Sequence, residues 1–174
     1  MLCLLAAVAG LSACGGDEAE EPKIPASIEL TSPAFKSGAP MPRRFSCDDA
    51  ELSPPLNWRK VPTGAKSLAL VMDDPDAPGG TFVHWTVVDL PPDTSSLGAG
   101  EPPAGGQELG NSFGDEGYRG PCPPEDDEPH HYVFTIYALD AKLGLDAGTS
   151  AADARDAIGS HAIAEGRLTG RFGR

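Results

Sequence analysis

Three runs of the chain are apolar on both of the faces a strand presents. They are Lys66–Asp73 (KSLALVMD), Phe82–Asp89 (FVHWTVVD) and His131–Leu139 (HYVFTIYAL), and turn-forming residues bound each one. Strands of this kind belong in the middle of a covered sheet. In the third run Tyr132, Phe134 and Ile136 fall on one face, and Val133, Thr135 and Tyr137 on the other. Ser27–Thr31 (SIELT) alternates and predicts a first strand. One segment has helical spacing, from Ser150 to about Glu165. Ser150 and Asp153 give it a start like a capping box, Ala154, Ala157 and Ile158 a modest apolar stripe, and Gly159 and Gly166 a stop. Leu168–Phe172 predicts a short extended close. Ser32–Asn57 is rich in Pro, Gly and Ser with apolar punctuation at Phe45, Leu56 and Trp58, whereas Pro91–Gly110 shows no period, and a loop that long is usually functional or disordered. Mostly strands with one late helix predict a single β-dominated domain over residues 27–174.

Composition sharpens this picture in two ways. The 174 residues include 21 Gly and 18 Pro, which favours turns over long helices. The formal net charge is −13, so the chain repels nucleic acid and anionic membranes at long range. Nucleic acid is therefore not an expected partner. An anion that binds must be held by local donors against the overall field. The stripe on the late helix, His161, Trp58 and Trp85 read as packing or surface residues.

The N-terminus reads differently. Residues 1–14, MLCLLAAVAGLSAC, form an apolar run too short to cross a bilayer. The run resembles a bacterial lipoprotein signal ending at Cys14, although no Lys or Arg precedes it. The expectation is lipidation of Cys14, an acidic solvated tether over residues 15–26, and a lipid-anchored place in the bacterial cell envelope on its extracytoplasmic side. Cys47 and Cys122 then remain, an even pair in an oxidising compartment. They are expected to lie close, as a disulfide or as two neighbouring thiols near a site. Neither has a CxxC partner, which argues against a structural metal.

Chemistry concentrates in two stretches. Met72–Trp85 (MDDPDAPGGTFVHW) places Asp73, Asp74 and Asp76, with Pro75, Pro78 and a Gly-Gly turn, directly ahead of His84. It connects two buried strands and so sits at a sheet end, where loops carry sites. Gly117–Tyr132 (GYRGPCPPEDDEPHHY) sets a stiff proline wall before His130 and His131 at the mouth of a strand. If those strand ends meet, one pocket holds two imidazoles, a phenol and a carboxylate. A literal G-x-S-x-G at Gly110–Gly114 has neither the strand before it nor the helix after it that a hydrolase elbow needs, and reads as a loop.

These stretches carry a family resemblance. DPDAP (Asp74–Pro78), His84-Trp85 six residues later, GYRGPCPP (Gly117–Pro124) and HHYVFTIYAL (His130–Leu139) resemble the phosphatidylethanolamine-binding protein family, in its bacterial Raf-kinase-inhibitor-like branch. FSCDDAELSPPLNW (Phe45–Trp58), KSLAL (Lys66–Leu70) and LTGRF (Leu168–Phe172) extend the match in the same order. The resemblance implies a mainly β, sandwich-like fold with a few short helices, one near the C-terminus. It also implies a small pocket for phosphate or phosphorylated headgroups, lined by Asp74, Pro78, His84, Pro121, His130 and Tyr132. The expected activity is non-catalytic binding of a phosphate-containing ligand, without a cofactor, with room for a protein partner in the envelope. Glu125-Asp126-Asp127-Glu128 departs from the pattern, because four acids beside an anion site oppose phospholipid binding. Two other classes stand beside this reading. One is an inhibitor or interaction module acting on an envelope protease or hydrolase. The other is a metal-dependent hydrolase using Asp74, Asp76, His84 and His130, although no HExxH, HxH or carboxylate-bridged pair is present.

Overall fold

The computed structural model describes residues 24–25 and 28–174. The signal-like segment, Cys14 and nearly all of the acidic tether lie outside the described residues. The first strand, β1, is Glu29–Thr31, followed by β2 (Leu56–Arg59), β3 (Ser67–Asp74), β4 (Phe82–Leu90), β5 (Ser96–Leu97), β6 (Gln107–Glu108) and β7 (His130–Leu139). The helix α1 (Ala151–His161) and the strand β8 (Ala162–Phe172) close the chain. All strand pairings are antiparallel. A small sheet has the order β1-β2-β5 and a larger one the order β6-β4-β3-β7-β8.

Alternation along the strands builds two cores, one on each face of the large sheet. Leu68, Leu70 and Met72 of β3, Trp85 of β4 and Tyr132, Phe134 and Ile136 of β7 face the small sheet and meet Leu30, Leu56, Trp58 and Leu97 there. Ala69, Val71, Val88 and Leu139 face the other way, onto Ala154 and Ile158 of α1. That double burial is why β3, β4 and β7 read as continuously apolar.

The helix and final strand differ from expectation at their junction. The Ser150 hydroxyl accepts from the Asp153 N–H, which starts α1 as the capping pattern requires. The helix passes through Gly159 and stops at His161, whose carbonyl accepts from Asp140 N–H. The chain turns there into β8, which is eleven residues long rather than a short closing piece. Gly166 ends nothing. It sits inside β8 where a Cβ would lie 2.1 Å from the Ile28 carbonyl oxygen. Only a residue without a side chain lets the β1 segment close over this strand. Gly166→Ala is expected to cost roughly 2 kcal/mol by overpacking against backbone, read as a lower urea midpoint. An unchanged midpoint would contradict that close approach.

The long segment 91–110 is packed rather than free. It gives β5 and β6, its Ser95 and Thr94 carbonyls accept from the backbone and indole N–H of Trp58, and Leu97 and Leu109 are buried. The segment thus pairs with part of β2 in the small sheet and part of β4 in the large one.

Candidate functional site

The inter-sheet core stays open at one end of the large sheet, and the polar residues there continue its apolar rows. On β3 the inward row Leu68, Leu70, Met72 ends at Asp74, while Asp73 falls on the opposite face and pairs with Arg155 of α1 at 2.7 Å. On β7 the inward row Ile136, Phe134, Tyr132 ends at His130. His84 arrives by a different device. Pairing between β3 and β4 runs Met72↔Trp85 and then Asp73↔Val83, so His84 is skipped. This β-bulge re-aims the strand. Trp85 packs in the inter-sheet core, Val83 in the helix-side core, and His84 is turned to the open end rather than to the helix face that strict alternation dictates.

A cavity of about 320 Å³ results. Asp74, His84 and His130 supply its polar groups, and Pro78, Phe82, Phe113, Cys122, Pro123 and Pro124 its walls. Asp74, Pro78, His84 and His130, expected from the sequence, are therefore brought together. Pro121 does not line the cavity. Its carbonyl accepts from Cys47 N–H and so braces the wall that the next three residues form. Tyr132 lies beneath, with its ring edge-on to His84 at 5.3 Å and stacked under His130 at 6.5 Å. Asp76 points away from the cavity; its carboxylate accepts from both the backbone N–H and the Nδ1 of His131 at 2.7 Å. Those two hydrogen bonds hold the Asp76 carboxyl below its usual range. Among the described residues no three His, Cys, Asp or Glu side chains converge as metal ligands.

Hydrogen bonds fix each ring. Asp74 accepts from Asp76 N–H through Oδ1 at 2.9 Å, and its Oδ2 pairs with His130 Nδ1 at 2.7 Å. Both partners are almost wholly buried. The Nδ1–H of His84 donates to the Arg119 carbonyl at 2.9 Å. In each ring this leaves Nε2 as the nitrogen for the cavity, and it becomes a donor when the imidazole is protonated. Burial pushes the His84 pKa below 6.5, with the Arg119 carbonyl and the Asp74 charge opposing that shift. The unfolded chain therefore takes up this proton more readily, and stability falls as pH drops below 6.5 towards the depressed value. The Tyr132 hydroxyl is buried and completes no hydrogen bond, although Asp74 and the Cys122 backbone lie beside it. Burial first, and the Asp74 carboxylate second, hold this phenol far above its usual pKa, so it remains a proton donor.

The wall is anchored to the Phe45–Glu51 segment. Cys47 and Cys122 form a disulfide with Cα atoms 5.5 Å apart. Tyr118 donates to the Phe45 carbonyl at 2.6 Å, and Glu51 accepts from Gly120 N–H at 3.1 Å. A Cβ on Gly120 would lie 2.6 Å from the Phe45 oxygen, so glycine is what admits this approach.

Sequence reasoning missed Phe82 and Phe113. The two rings meet edge to face at 4.7 Å, and both touch His84 at 5.3 Å. Phe113 is 41% exposed. It belongs to the G-x-S-x-G stretch, whose Ser112 accepts from Val83 N–H and so extends the edge of β4. An aromatic residue in an otherwise Gly-rich loop was the available signal.

The sequence model of the phosphatidylethanolamine-binding protein family matches residues 31–173. A Mycobacterium tuberculosis protein that carries the name lipoprotein LppC is 44% identical over 98% of this chain and 92% of its own length. Two crystal structures are similar. The Chlamydia trachomatis homologue CT736 has a TM-score of 0.80 at 38% identity, covering 85% of this chain and 98% of its own. The Escherichia coli protein YbcL, described as a member of the mammalian family, has a TM-score of 0.81 at 34% identity, covering 86% and 99%. The open end of the sandwich, the paired imidazoles and these relatives agree, and the chain belongs to the phosphatidylethanolamine-binding protein family.

Proposed function

We propose that the protein is a non-catalytic binding module whose cavity holds a phosphate group, free or as part of a phosphorylated headgroup. The observation that carries this reading is the convergence of Asp74, His84 and His130 on one cavity, above a buried Tyr132 hydroxyl that completes no hydrogen bond. An unmade hydrogen bond in that position costs about 1–3 kcal/mol, and an oxyanion removes the cost. Protonated His84 and His130 add Nε2–H donors with charge. Cys122 is bonded to Cys47 and Ser112 serves the β4 edge, so both are committed to holding the wall and rim of the cavity. The lipoprotein-like N-terminus and the named lipoprotein relative support a lipid-anchored envelope location.

The sign of the pH dependence follows. Each imidazole must take up a proton to donate through Nε2, and binding favours the protonated form. Affinity is highest at mildly acidic pH and is lost as pH rises. The loss is about tenfold per pH unit for each proton taken up. Calorimetric titration with inorganic phosphate at several pH values, in buffers of different ionisation enthalpy, checks this. Net proton uptake with falling affinity is expected. Binding that stays flat from mildly acidic to mildly alkaline pH would contradict the proposal.

A further inference from the structure

We infer that Asp127 sets the anion specificity of the pocket: its carboxylate accepts a hydrogen bond from a protonated phosphate oxygen, and so selects phosphate monoanions over sulfate. The inference rests on the phosphate-pocket reading and names the ligand class within it. The acids Glu125–Glu128 form the turn between the proline wall and β7, with Pro129 closing it. One of them stands beside His130, the residue shared by the cavity and the groove next to it. Asp127 Oδ2 lies 3.8 Å from His130 Nε2, the nitrogen an anion needs, while the Asp127 side chain keeps half of its surface in water. Asp127 and Glu128 both line the adjacent groove with Asp76 and Arg171, and of the two it is Asp127 that comes within ion-pair range of His130.

An anion at the imidazole therefore meets a carboxylate at arm's length. A carboxylate only accepts hydrogen bonds. A fully ionised oxyanion, such as sulfate, presents only acceptors and is repelled. A phosphate that retains a proton can donate it to Asp127 while its other oxygens accept from Tyr132 and the imidazoles. Each Asp74 oxygen already accepts one hydrogen bond, from Asp76 N–H and from His130 Nδ1, whereas the Asp127 carboxylate is half-exposed and faces the imidazole Nε2. The buried Tyr132 hydroxyl, which completes no hydrogen bond and whose ring stacks under His130, is the independent sign that an oxyanion belongs at this imidazole. The acidic turn thus acts as a filter and not only as a repulsive field.

The test is calorimetric titration of the whole chain with inorganic phosphate and with sodium sulfate at a pH of about 6, where a phosphate still carries a proton. The wild type is expected to favour phosphate by at least about tenfold, the scale of a hydrogen bond to a charged group. Asp127→Asn supplies an amide that donates to sulfate, so sulfate binding strengthens and the ratio falls to within about threefold. Glu128→Gln removes the same charge from a side chain that makes no ion pair with His130, so both anions gain alike and the ratio holds. Equal wild-type affinities, an unchanged ratio in Asp127→Asn, or the same collapse in Glu128→Gln would each overturn the inference. A wild type that binds neither anion would refute the pocket itself, whereas equal binding of both refutes only the filter.

Discussion

Replacing Asp74 with alanine is expected to lower stability by about 3 kcal/mol and to abolish phosphate binding. Asp74 and His130 are a buried pair at 2.7 Å, and the same carboxylate holds the Asp76 N–H. Alanine leaves the ring's Nδ1 without a partner in a place that water barely reaches. It also frees the ring to turn, so Nε2 no longer faces the cavity. For a domain of this size the melting temperature should fall by about 10 °C. Asp74→Asn separates the two roles. Its Oδ1 still accepts from Asp76, and its amide nitrogen donates to His130 Nδ1. The imidazole then carries its proton on Nε2 while neutral. This variant should lose only about 1 kcal/mol and bind phosphate with a shallower pH dependence, since one proton fewer is taken up. Wild-type stability in Asp74→Ala, or an unchanged pH slope in Asp74→Asn, would contradict the role assigned to this carboxylate.

Removal of the Cys47–Cys122 disulfide is the second large effect. The bond links residues 75 apart, and by loop-closure entropy its loss should cost about 4 kcal/mol. The paired variant Cys47→Ser with Cys122→Ser checks this by urea unfolding, alongside the reduced wild type. The pocket should weaken less than the fold. Cys47 N–H still meets the Pro121 carbonyl, Tyr118 still meets Phe45, and Glu51 still holds Gly120. Phosphate binding under native conditions should therefore persist, reduced, in the variant that remains folded. Unfolding midpoints that coincide with and without the bond would contradict this.

The sheet was legible because its strands are buried on both faces. Leu68 to Val71 and Tyr132 to Ala138 admit no other reading, and alternation alone pairs His130 with Tyr132 and Asp74 with the inner row. The disulfide was legible as an even pair of cysteines. Three things were hidden. Strands β2, β5 and β6 have two to four residues each and owe their form to partners far away in the chain, such as Asn57 with Ser96. The length of β8 was masked by Gly166, which looks like a stop until Ile28 is seen above it. The bulge at His84 has no local signature at all, because it is a property of the register between two strands. The site inherited that limit. Its polar residues stand out by type, but Phe82 and Phe113 became pocket walls only when the loop folded back over the bulge.

The account turns on an oxyanion lying between the bulged strand and the proline wall. A crystal structure grown with inorganic phosphate at mildly acidic pH tests this most directly. The expected result is one phosphate ion, its oxygens within hydrogen-bonding distance of the Tyr132 hydroxyl and the Nε2 atoms of His84 and His130. A cavity holding only water, or phosphate bound elsewhere while the Tyr132 hydroxyl stays unpaired, would contradict it.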